Sequence, residues 1–251
     1  MSLDLLGENT HDRVEAVKAK DAYIDMLERV HASPHAASMN ISIKMTQCGL
    51  DLDESFAEEQ FREVLKVAAK YDQFVRVDME ASDYTERTIS MIERVFPDHK
   101  STGTVLQSYL YRTPDDAQRM IRLGARVRIV KGAYLEPESV AFPKKSDVDA
   151  KYIEVAKELM MHGNYPAIAT HDESIIRHLK AWADEQGIAK ERFEWQMLYG
   201  IRRDLQDSLR QQGYNVRVYI PFGDQWYPYF TRRLAERPAN ALFIFKSLFR
   251  G

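Results

Sequence analysis

The sequence has one cysteine, Cys48, in 251 residues. A lone thiol cannot close an internal disulfide or build a multi-cysteine zinc site, and it fits a reducing compartment, so a cytoplasmic location is expected. Apolar runs are short: none approaches the roughly 20 residues of a membrane-spanning helix. The opening MSLDLLGENT has neither the cationic flank nor the apolar stretch of a signal peptide. Any membrane contact is therefore expected to be peripheral. The formal net charge is −3 with no long basic block, which removes the electrostatic footprint of a general nucleic-acid binder. No strand-like run leads into a GxGxxG turn, no nucleophile elbow is present, and the first strand offers Asp4-Leu5-Leu6 where a metal-dependent barrel hydrolase would carry His-x-His. No metal site is expected. Low-complexity segments, internal repeats and Gly/Ser linkers are also missing, so residues 1–251 read as one domain.

What the sequence does have is a recurring unit. Short β-branched or apolar runs (SLDLL, NISIK, FVRVD, TVLQSYL, RVRIV, AIAT, FEWQML and VRVYI) are each followed by a turn signal and a longer amphipathic stretch. In residues 11–31, Val14, Val17, Ile24, Leu27 and His31 follow a helical period behind the capping candidates Asn9 and Thr10. Eight strand–helix units in this length match an α/β fold of the (β/α)8 TIM type, in which buried parallel strands are ringed by helices. An open doubly wound sheet is the alternative, and the missing dinucleotide turn argues against it.

Active sites of such barrels sit at the C-terminal ends of the strands, and here those ends are polar. Lys44 follows strand two, Asp78 and Glu80 follow strand three, Gln107 lies in strand four, Arg128 and Lys131 in strand five, Thr170 and His171 follow strand six, and Tyr219 lies in strand eight. Each has a plain reading as well. Polar residues inside barrels often hydrogen-bond one another, a single histidine is commonly structural, and Glu80 could simply cap the next helix. Cys48 reads as a small buried residue; Trp182, Met160 and Met161 read as helix packing. The segment YPYFTRRLAE places Tyr229, Arg232, Arg233 and Glu236 on one helical sector, either as a solvated basic face or as a forked clamp for a carboxylate or phosphate. Two chemistries would use these cations. Lys44 or Lys131 could form a Schiff base if burial lowered its pKa, or the cations could hold an anionic cofactor and substrate, with the aromatics and Gln107 suiting a flat heterocycle. A non-catalytic binding module stays open beside both.

The segments SLDLLGE, ISIKMTQCGL, VRVDME, TVLQSYLYRT, VRIVKGAY, AIATHD, WQMLYGIR and VRVYIPFG followed by YFTRRLAE resemble, in order and spacing, the motifs of the proline dehydrogenase family, and the bacterial single-function members most. The resemblance implies a distorted (β/α)8 barrel that binds FAD, oxidises L-proline to Δ1-pyrroline-5-carboxylate and passes electrons to a membrane quinone, with peripheral contact at the inner face of the cell membrane. It implies that Arg128 lies against the flavin near N5, which answers why a buried strand carries a cation. Met79, Gln107, Val130, Lys131, Gly132, Ala133, Thr170 and His171 are implied as further cofactor contacts. Arg232, Arg233 and Lys44 are implied to bind the proline carboxylate, with Glu236 bracing the helix, Tyr134, Leu198 and Tyr219 around the substrate, and Asp78 supporting it. Family members usually carry helices ahead of the first barrel strand, so a chain that starts on that strand resembles a trimmed core.

Overall fold

The structure, a computed structural model, describes residues 1–7 and 9–224. Eight strands alternate with helices: β1 (Ser2–Leu5), α1 (Arg13–Ala32), β2 (Asn40–Ile43), α2 (Glu54–Lys70), β3 (Val75–Val77), α3 (Ser82–Val95), β4 (Thr102–Gln107), α4 (Thr113–Leu123), β5 (Arg126–Val130), α5 (Lys145–His162), β6 (Ala167–Ala169), α6 (Glu173–Glu185), β7 (Glu194–Leu198), α7 (Arg203–Gln211) and β8 (Asn215–Phe222). The strands run in the order β1 to β8 as a closed parallel barrel. The expected (β/α)8 fold is therefore observed and the open sheet is not. Two compact units make up the described chain, one built on Met1–Thr104 and the other on Val105–Tyr219. Among the described residues no helix is long and apolar enough to cross a membrane.

In the first unit, Leu3 pairs with Ile41 and Ile41 with Val75. Every residue of β2 and β3 is buried, as parallel strands covered on both faces require. Helix α1 departs from the sequence reading in two ways. Its N-cap is Asp12, whose carboxylate accepts the Glu15 N–H at 2.8 Å. Thr10 and Asn9 are instead spent on the loop after β2: the Thr10 hydroxyl donates to the Thr46 carbonyl and the Asn9 N–H to Thr46 Oγ1. The buried face is Ala16, Tyr23, Met26, Leu27 and Val30, whereas Val14 is 62% exposed. The helix is thus rotated by roughly a quarter turn from its most apolar stripe. Tyr23 sets that phase, because its hydroxyl turns inward to accept the Lys44 N–H at 3.1 Å and to donate to Gln47.

Strand β4 begins two residues earlier than the TVLQSYL reading and ends at Gln107, after which the Leu110 N–H closes a turn onto the Gln107 carbonyl. Gly103 hides the start of this strand from propensity.

In the second unit, β5 pairs with β6, β6 with β7 and β7 with β8, with Gln196 opposite Arg217 and Leu198 opposite Tyr219. Trp195 and Phe193 are fully buried, edge to face at 5.6 Å. Helix α4 stops at Gly124, whose φ of +80° makes the left-handed cap that returns the chain to β5. Met160 is buried as read, but Met161 is 37% exposed, because adjacent helical residues face different directions. Trp182 is half-buried beneath the Lys157 ammonium.

Candidate active site

In the first unit the polar side chains gather around the end of β2. Lys44 is the first residue past that strand, and its Nζ lies 2.6 Å from Asp4 Oδ1 on β1, with both residues buried. Burial works against the charge on Lys44, but Asp4 first and then Asp78 outweigh it and hold the amine above its ordinary value of 10.5. Asp4 is a site residue that sequence reasoning missed. Its signal was an aspartate inside an otherwise apolar strand, which the search for a His-x-His pair passed over.

Glu80 is not a helix cap: α3 starts from Ala81 without a side-chain cap, and the Glu80 carboxylate instead accepts the Thr46 N–H at 3.1 Å and the Thr46 hydroxyl. The chain from Lys44 to Gln47 is thereby pinned by Tyr23 on one side and Glu80 on the other. Asp78 is half-buried, with its N–H on the Ile43 carbonyl at 2.8 Å, and Met79 beside it is buried. Cys48 is fully buried, as read, and burial, helped by the Glu80 charge, pushes its thiol up to about 12, so it is chemically inert.

In the second unit Arg128 occupies the middle of β5 at 4% exposure. Its Nε donates to Gln196 Oε1 on β7 at 2.6 Å, and its guanidinium carbon lies 5.0 Å from the centre of the Tyr219 ring on β8. Arg128 and Tyr219, singled out separately in the sequence, are thus brought together. Beyond β5 the backbone of Val130 and Lys131 continues the ladder, their carbonyls accepting from Ser108 and Tyr109. Gly132 follows with φ of +111°, and a Cβ on it would come within 2.4 Å of the buried Tyr109 ring. Only glycine lets the chain turn there, which makes Gly132 a backbone requirement. Ala133 and Tyr134 are half-buried. Gln107, the last residue of β4, is buried, and its carbonyl accepts the Thr113 hydroxyl.

Lys131 reaches away from the strand to Asp149 on α5 at 2.6 Å and to Asp172, the N-cap of α6, at 2.9 Å. Burial would raise the Asp172 carboxyl, but its hydrogen bonds from Ser174 and Lys131 and the charges of Lys131 and Lys145 hold it far below the usual carboxylate range. These ion pairs weigh against the Schiff-base reading. A nucleophilic lysine must be neutral, whereas Asp4 holds Lys44 as a cation and Lys131 is taken up in ion pairs with Asp149 and Asp172.

Thr170 and His171 follow β6. The Thr170 N–H bonds to the Gln196 carbonyl, its hydroxyl accepts the Asp172 N–H, and His171 Nε2 accepts the Leu198 N–H at 2.9 Å. His171 and Leu198 are therefore also joined. With Nε2 accepting, the neutral ring carries its proton on Nδ1. Burial first, and then the charge of Arg202, lowers the His171 pKa from 6.5 to about 4. A histidine harder to protonate in the fold than in the unfolded chain contributes stability that is present above pH 6.5 and is lost as pH falls through about 4. Urea unfolding should accordingly show stability falling across that window in the wild type and a shallower slope in His171→Asn; equal slopes would mean that His171 does not titrate with folding.

Arg232, Arg233 and Glu236 lie outside the described residues, so the clamp read from the sequence is not placed. Among the described residues no group of three or more His, Cys, Asp or Glu side chains is arranged to hold a metal ion.

Comparison with known proteins agrees with the barrel. The sequence model described as "Proline dehydrogenase" matches residues 1–246. The chain is 41% identical over 248 residues to proline dehydrogenase 2 of Bacillus subtilis, covering 99% of this chain and 81% of that protein. It is 40% identical over 255 residues to proline dehydrogenase of Deinococcus radiodurans, covering 100% and 82%. Among solved structures, proline utilization A (PutA) from Bdellovibrio bacteriovorus inactivated by N-propargylglycine superposes with a TM-score of 0.84 at 25% identity, over 93% of this chain and 29% of that one. A family match along nearly the whole sequence, on a barrel of the same fold, means that the chain belongs to the proline dehydrogenase family.

Proposed function

We propose that the chain oxidises L-proline to Δ1-pyrroline-5-carboxylate with FAD as its cofactor and a membrane quinone as electron acceptor, residues 1–251 acting as one catalytic domain. The observation that carries this reading is Arg128, a buried cation held edge-on by Gln196 and face-on by Tyr219, in a chain of this family. The donor set fits a flavin. A fixed guanidinium suits a ring that gains negative charge on reduction, and the turn at Gly132 leaves backbone where a side chain would stand.

Bound FAD supplies the acceptor for the hydride that leaves C5 of proline. The protein's part is to bind, orient and charge-balance. Arg128 presents a positive charge that needs no rearrangement during the reaction. Met79, Gln107, Val130, Lys131, Gly132, Ala133, Thr170 and His171 are assigned to the cofactor, with Gln107 suited to the hydrogen-bonding edge of a flat heterocycle. Lys44, Arg232 and Arg233 are assigned to the proline carboxylate, Glu236 to bracing their helix, Tyr134, Leu198 and Tyr219 to walls around the ring, and Asp78 to supporting it. His171 is a hydrogen-bonding residue and not a base, because Nε2 already accepts the Leu198 N–H. The proline amine loses one proton to solvent, so the substrate gives up two electrons and two protons in all and the quinone takes up both. A quinone acceptor places the enzyme at the inner face of the cell membrane, in peripheral contact from the cytoplasm.

The test is product and stoichiometry. With FAD, L-proline and a soluble quinone analogue, one pyrroline, detected as its o-aminobenzaldehyde adduct, should form per quinone reduced, and borohydride should trap no lysine adduct. A proline-dependent lysine adduct, or no pyrroline, would overturn the reading.

A further inference from the structure

Behind Arg128 lies a buried chain of polar groups that this assignment does not use. Gln196 gives its Oε1 to Arg128 and its Nε2 to Glu194 Oε1 at 2.5 Å, two residues earlier on β7. Glu194, 3% exposed, accepts the Arg217 Nε from β8 at 2.9 and 3.0 Å, and the Tyr165 hydroxyl reaches Oε2 at 3.4 Å. The orientation of the Gln196 amide is forced from both ends. A carboxylate only accepts, so Glu194 must face the NH₂; a guanidinium only donates, so Arg128 must face the oxygen. A neutral amide alone could turn over at little cost, and a turned amide would put its NH₂ against the Arg128 N–H. Glu194 blocks that turn, and its pairing with Arg217 compensates its burial.

We propose that Glu194 is a positioning residue for the oxidation: acting through Gln196, it fixes the Arg128 guanidinium in the one orientation that stabilises reduced flavin. The inference rests on the flavin reading of Arg128 given above. Its signature is a change in the balance between oxidised and reduced cofactor, which a merely structural residue would not alter.

The experiment measures the midpoint potential of bound FAD in the full chain for wild type, Glu194→Gln, Gln196→Leu and the double variant. Each single variant should bind reduced flavin roughly tenfold less tightly relative to oxidised flavin, a fall of about 30 mV for a two-electron couple. The double variant should fall no further than either single one, because both cut the same chain. A potential that rises in Glu194→Gln would mean that Glu194 acts only by its field, since losing a negative charge favours the reduced ring; that result, unchanged potentials, or additive falls would each overturn the proposal. If Glu194→Gln does not fold, Gln196→Leu, which keeps the Glu194 and Arg217 pair, decides alone by falling or not. A readout without cofactor separates this proposal from the flavin reading. In the apoprotein the Arg128 Nε–H should give a slowly exchanging NMR signal that both single variants lose. Wild type that binds no FAD but shows this signal would sink the flavin reading and leave the relay standing. Persistence of the signal in the variants would sink the relay.

Discussion

Arg128→Met should reduce its flavin with proline on the order of 100-fold to 1,000-fold more slowly than wild type, the loss expected when one fixed charge aimed at developing negative charge is removed. Methionine fills much of the same volume, so the packing against Tyr219 on β8 is largely kept. What disappears is the cation and its hydrogen bond to Gln196. The effect should therefore appear in the rate of flavin reduction at saturating proline and in the affinity for FAD. It should exceed the roughly tenfold redox effect of the Glu194 and Gln196 variants, which loosen the same guanidinium without deleting it. Stopped-flow reduction at wild-type rates would discard the role given to Arg128.

The second large effect belongs to Lys44. Lys44→Met should lower folding stability by about 3–5 kcal/mol, because it strands the buried Asp4 carboxylate without its ammonium. Changing both members, Lys44→Met with Asp4→Leu, should recover most of that loss, since an apolar pair carries no uncompensated charge. The pH dependence has a definite sign. The fold holds the Lys44 amine above its ordinary 10.5, so the contribution is complete below pH 10.5 and is lost only as pH rises past the folded-state value. Denaturant unfolding near pH 7 that shows the double variant as damaged as the single one would contradict an ion-pair origin.

Much of this architecture is written locally. Strands such as RVRIV carry their period and their boundaries in the sequence, and β5 falls on the five residues that the pattern marks. The misses on α1 share a physical cause, namely that a side chain's partner far along the chain overrode a local preference. Thr10 and Asn9 are good capping residues, but Thr46 competes for them, and Asp12 caps α1 instead. Apolar counting on α1 pointed to Val14 and Val17, while the hydroxyl of Tyr23, needed at Lys44 and Gln47, turned the helix.

The candidate site divides in the same way. That Lys44, Arg128, Lys131 and His171 stand at or near strand ends follows from the alternation of strand and helix together with the general location of barrel active sites. Who holds them does not. The Asp4 partner of Lys44 lies 40 residues away and the Gln196 partner of Arg128 lies 68 away. Glu194 and Gln196 look in the sequence like the ordinary polar members of an alternating strand. Only the pairing of β7 with β8, which sets Arg217 opposite Gln196 with its side chain reaching Glu194, reveals a relay.

The most direct test of the whole account is the visible spectrum of the purified chain, supplied with FAD and kept free of oxygen, before and after L-proline is added. A bound flavin whose absorption bleaches on addition of proline is the expected result. A bound flavin that proline leaves oxidised, or a chain that binds no flavin, would contradict it.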